Sequence, residues 1–76
     1  MANLVAERIE EVLRPIVGTV LASVSVDLES KRIGKNPDTI SGFDLPLIAD
    51  NLSDALKLLV GPEVAAAAAQ RVRELG

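Results

Sequence analysis

The chain contains no cysteine, histidine, tryptophan or tyrosine, and Phe43 is its only aromatic residue. Each absence excludes something. Without Cys no disulfide can staple a small domain, and without Cys and His the usual ligands of zinc, copper and iron are missing. Nucleophilic or acid–base catalysis would have to be assembled from Ser, Thr, Lys, Asp and Glu alone, without the side chain that titrates nearest neutral pH. An enzyme is therefore not expected, nor a cofactor, a metal or a small-molecule substrate. Without Trp or Tyr, an interface on this protein must be aliphatic. Charge of one sign is also scarce. Eight Lys and Arg face eleven Asp and Glu, spread along the chain for a net −3, which is no footprint for nucleic acid.

Long hydrophobic runs are missing as well. The stretch from Ile16 to Val26 is eleven residues, against the ~20 needed to span a bilayer. The N-terminal segment ANLVAERIEEVLR places Glu7, Glu10 and Glu11 ahead of that stretch, a poor start for a secretion signal. These features predict a cytoplasmic protein away from membranes.

What is present is aliphatic. Leu, Ile and Val supply 25 of 76 residues and Ala ten more. A chain of this length is one domain, residues 1–76, and folding buries only ~60% of its extended surface. With no disulfide or metal, dense helix packing and self-association are the remaining routes to stability.

Val5, Ile9, Val12, Leu13, Ile16, Val17, Val20 and Val24 recur three and four apart, the mark of an amphipathic helix. Asn3 is the expected N-cap. Pro15 cannot donate to residue 11, and Gly18 follows it, so a kink or break is expected there. Gly34, after Lys31 and Arg32, reads as a C-cap, and residues 35–39 as turn. The next helix has two candidate starts. Ser41 would cap it with an Ile40–Leu45 staple. Asp44 would put Pro46 in the first turn with a Phe43–Ile48 staple, and is the cleaner choice sterically. Leu45, Ile48, Leu52, Ala55, Leu56, Leu59 and Val60 then form one face. Gly61-Pro62 separates it from a last helix running to about Leu75, with Val64, Ala65, Ala68, Val72 and Leu75 inward. No repeat or low-complexity linker stands out.

The segment TVLASVSVDLES (19–30) alternates apolar and polar residues, as a strand does. A strand needs a partner for its backbone groups, and nothing else in the chain alternates for more than a few residues. The predicted fold is therefore all-α, a bundle of three to four helices with a long kinked N-terminal helix and a C-terminal αα-hairpin. The alternative is α+β, with a single strand at about 19–29 paired across a dimer.

The chemical motifs are weak. Asp50 and Asp54, four apart on a helix, read as a solvated face. Asp27-x-Glu29-x-Lys31 has Lys at a calcium-ligand position. Ser41 and Ser53 lack the Asp-Ser-Leu setting of a carrier domain. A helix-turn-helix built on 44–60 and 62–75 would present Glu63 and alanines to the bases.

The hints that remain concern association. Leu47 and Leu58 lie on one ridge opposite the main stripe, with Phe43 just before it. Ala65–Ala69 wraps a helix circumference, so that Ala66 and Ala69 cannot both share the core of Val64 and Val72. Phe43, Leu47, Leu58, Ala66 and Ala69 are the candidate interface residues. The expected function is a non-catalytic helical interaction or oligomerisation module, homodimeric and open to another protein. The alternative is a nucleic-acid-associated regulator.

Overall fold

The computed structural model describes residues 3–75, and every regular element among them is helical. Helix α1 spans Leu4–Arg32, a single 3-10 turn spans Gly42–Asp44, α2 spans Leu45–Val60 and α3 spans Pro62–Arg73. The all-α expectation holds, and the strand at 19–29 is overturned: those residues are helix throughout. Alternation misleads here because Val24 and Val26, which would share one face of a strand, lie on opposite faces of the helix.

Asn3 caps α1 as expected, its side-chain oxygen accepting from the Ala6 amide at 2.9 Å. The same side chain donates to the Ile40 carbonyl at 2.8 Å, pinning the start of α1 to the loop before α2. The helix breaks at Gly18, where φ is 85° and ψ 169°. A first arm (residues 4–17) thus turns into a second (19–32). Pro15 stays inside the first arm. The second arm ends in a Schellman pair, with the Gly34 amide on the Lys31 carbonyl and the Lys35 amide on that of Ser30. Lys31 and Arg32 occupy the last turn, where cations complement the helix dipole.

The connecting loop is built from its own side chains. Asn36 Oδ1 accepts from the Asp38 amide and Thr39 Oγ1 from the Asn36 amide. Element boundaries place Asp44 just before α2 with Pro46 in the first turn, as favoured. The capping differs from that expectation. The Asp44 carboxylate does not serve the first amides of α2. It folds back to accept from the Ser41 amide at 2.9 Å, completing half of the Ser41 box. Phe43 is 97% exposed and so staples nothing, whereas Ile40 and Leu45 both lie in the core.

One cluster of aliphatic side chains holds the bundle together. Ile9 and Leu13 of the first arm, Ala22 and Val26 of the second, Leu45, Ile48, Leu52 and Leu56 of α2, and Ala65, Ala69 and Val72 of α3 are all buried. Each large member contributes about 1.5–3 kcal/mol. That exceeds exposed ion pairs such as Lys57–Asp54, worth about 0.2–1 kcal/mol. Three inward assignments are corrected. Ala55, Leu59 and Val64 face outward, and Ala49 and Ala69 take inward places instead.

The largest correction concerns the stripe along α1. Val20 and Val24 were expected to continue the inward face of Val5–Val17. The positive φ at Gly18 breaks the helical rotation, so the second arm starts in a new phase. Ala22 and Val26 point in, and Val20 and Val24 point out.

Candidate interaction surface

The five residues singled out for an interface do not form one patch of common exposure. Phe43 and Leu58 are almost fully exposed, at 97% and 93%, and Leu47 is half-exposed. Ala66 is exposed. Ala69 is removed from the set: at 1% exposure it lies in the core between α3 and its neighbours. Phe43 stands out because the 3-10 turn that brings Leu45 into the core leaves the side chain two residues earlier in solvent. Leu58 lies opposite Leu52 and Leu56 near the end of α2, on the face that α3 does not cover.

A more continuous apolar surface lies on the second arm of α1. Val20, Val24 and Leu28 are four residues apart and form one ridge, with Leu21 beside it. All four are exposed, Val20 by 75%. This arm is therefore apolar on two opposite sides, one turned to the core through Ala22 and Val26 and one turned to solvent. Sequence reasoning passed over the ridge because it placed Val20 and Val24 inside. The signal that would have exposed it was Gly18, once treated as a break in phase as well as a bend.

The charged groups near this ridge are mutually satisfied. Lys31 Nζ lies 3.0 Å from Asp27 Oδ2 one turn earlier, and Lys35 Nζ lies 2.8 Å from Asp44 Oδ2. Arg32 Nη1 lies 3.3 Å from Glu29 Oε1. Among the described residues Glu29 is the one buried carboxylate, at 4% exposure, and the half-exposed Arg32 offsets its charge at the surface. Ser30 beside it is fully buried and donates its hydroxyl to the Val26 carbonyl at 2.7 Å. The hydrogen bond from Lys35, followed by that from the Ser41 amide, holds the Asp44 carboxyl below its ordinary value. Arg73 pairs with Asp50 and ties the end of α3 to the second turn of α2.

Among the described residues no three acidic side chains converge as a metal site would require. Asp50 is paired with Arg73 and Asp54 with Lys57, so the two carboxylates four apart serve separate cations. No helix among the described residues is long and apolar enough to cross a membrane. Compared with known protein families, curated proteins and solved structures, the chain finds no match.

Proposed function

We propose that this chain is a small non-catalytic helical module that associates with a second copy of itself. The observation that carries this reading is the outward Val20–Val24–Leu28 ridge on a helix whose other side is already committed to the core. Apolar surface of this kind is stabilised by removal from water at about 25 cal/mol per Å². The ridge is suited to self-pairing. Val20 and Leu28 are each four residues from Val24, so two arms set antiparallel about Val24 pair the Val20 of one copy with the Leu28 of the other. The same arrangement keeps each Asp27 away from its own counterpart, whereas a parallel one sets like charges side by side.

The nucleic-acid alternative draws less support. Lys31, Arg32 and Lys35, the local cluster of cations, are each engaged by a carboxylate of the same chain.

Sedimentation tests the reading. The wild-type chain is expected at twice its 8.0 kDa mass at micromolar concentration. Val24→Glu is expected to give the single mass with helical content unchanged, because the side chain is outside the core. A wild-type monomer at that concentration, or a Val24→Glu dimer, removes the ridge from consideration.

A further inference from the structure

The two glycine corners of this chain are the same corner. Gly18 has φ 85° and ψ 169°, and Gly61 has φ 88° and ψ 163°. Both values fall in a region of backbone space that is essentially glycine-only. Each corner joins a helix of core-facing aliphatics to a second helix that begins directly after it.

Superposing the corners shifts the sequence by 43 positions, the separation of Gly18 from Gly61. Residues 4–32 then fall on residues 47–75. Leu4 meets Leu47, Ala6 meets Ala49, Leu13 meets Leu56, Val17 meets Val60 and Ala22 meets Ala65, besides the glycines themselves. In the first helix of each segment three charges keep this register, Glu7 falling on Asp50, Glu11 on Asp54 and Arg14 on Lys57. In the second helix charge does not follow it, Lys31 falling on Glu74. Ile9 falls on Leu52. The three matched charged positions face solvent, so a shared apolar period does not by itself explain their agreement.

Burial agrees independently. Each 29-residue segment has eight buried positions, and six of the eight coincide: 6 with 49, 9 with 52, 13 with 56, 22 with 65, 26 with 69 and 29 with 72. The buried aliphatics of both segments share one core, and an isologous contact about an approximate two-fold axis would produce this agreement. The connections fit this arrangement. Asn3 bonds to Ile40 and Lys35 to Asp44, so the start of the first segment, its end and the start of the second gather round one loop.

We infer that the chain is two copies of one helix–glycine–helix unit, residues 4–32 and 47–75, whose buried face recognises its own copy. The partner this face fits is another such unit, here supplied within the same chain. The inference stands apart from the proposed homodimer, which uses the outward ridge on only one of the two units. That ridge is where the copies part company: Val20, Val24 and Leu28 fall on Glu63, Ala67 and Arg71.

A chain of inverted order tests the inference, with residues 47–75 first, 33–46 as the link, and 4–32 last. Under two-fold symmetry the link spans the same gap in either order. The inverted chain is expected to be helical and to melt cooperatively within about 10 °C of the parent, the scale of one or two kcal/mol for a domain this small. Either a monomer or a dimer formed by exchanging units supports the inference, since both use the same recognition. The same chain with a lengthened Gly/Ser link serves as the control. Folding only with the longer link overturns the inference, because the two gaps are then unequal. Failure to fold with both links overturns it too.

Discussion

The second arm of α1 and helix α3 occupy matching places after matching glycines, yet they treat solvent differently. Inward, both use small or medium aliphatics: Ala22 and Val26 in one, Ala65 and Ala69 in the other. Outward, α3 shows Glu63, Ala67 and Arg71, an ordinary solvated face. The second arm shows Val20, Val24 and Leu28. The fold evidently does not require apolar residues at these outward positions, because α3 does without them. Stability and outward chemistry are therefore separable here, and the difference between the arms marks the surface proposed for association.

The comparison is broken most severely in the core. Leu13→Ala and Leu56→Ala remove matching, fully buried side chains, and each is expected to cost about 2–5 kcal/mol. Chemical denaturation measures both. If one proves harmless while the other unfolds the chain, the two positions are not equivalent.

Next come the corners. Gly18→Ala and Gly61→Ala are each expected to cost about 1–3 kcal/mol, through backbone conformation alone. A Cβ built on either glycine meets nothing within 4 Å, so crowding adds no cost. Melting curves for the pair should fall together. A clear loss at Gly61 with none at Gly18 would mean that the first corner is pliable and the second is not.

The smallest effect sharpens the comparison at the helix starts. Asn3 begins α1 with a neutral amide, whereas Asp44 precedes α2 with a carboxylate held by Lys35 and Ser41. Because the Asp44 pKa is lowered in the fold, its contribution is present above the ordinary value of 3.8 and is lost as pH falls through the lower native value. Asp44→Asn should reduce stability slightly at pH 7, with the gap from the parent closing in acid. A gap that does not change with pH would assign the effect to packing or hydrogen bonding, not to charge.

Much of this molecule was legible in its sequence, for reasons that can be located. Asn3, Gly34, Pro46 and Gly61-Pro62 mark helix ends through local backbone chemistry, and each sits where that chemistry requires. The failures arose where a long-range fact outweighed a local one. Val20 and Val24 extend the stripe of Val5–Val17 without interruption, and only the dihedral angles of Gly18 turn them outward. Ala69 looks like idle surface in the sequence, yet it lies in the core of the bundle. The doubling of the unit was also present in the sequence. It escaped notice because its exact matches are few and are mostly Leu, Ala and Val, the commonest residues in the chain. The interface candidates fared unevenly for the same reason: Phe43, Leu47, Leu58 and Ala66 are at the surface, but sequence spacing alone could not show that the broader apolar ridge lay elsewhere.

The open space around Gly18 and Gly61 carries a stereochemical consequence. What these corners demand is handedness, not smallness. Reflected through a mirror, φ near +85° with ψ near 165° becomes an extended conformation that ordinary L residues adopt freely. A D-alanine would therefore find at either corner a backbone conformation suited to its own handedness. It would also remove much of the freedom that glycine brings to the unfolded chain. Among the genetically encoded residues glycine alone is achiral, and here that property matters more than its size.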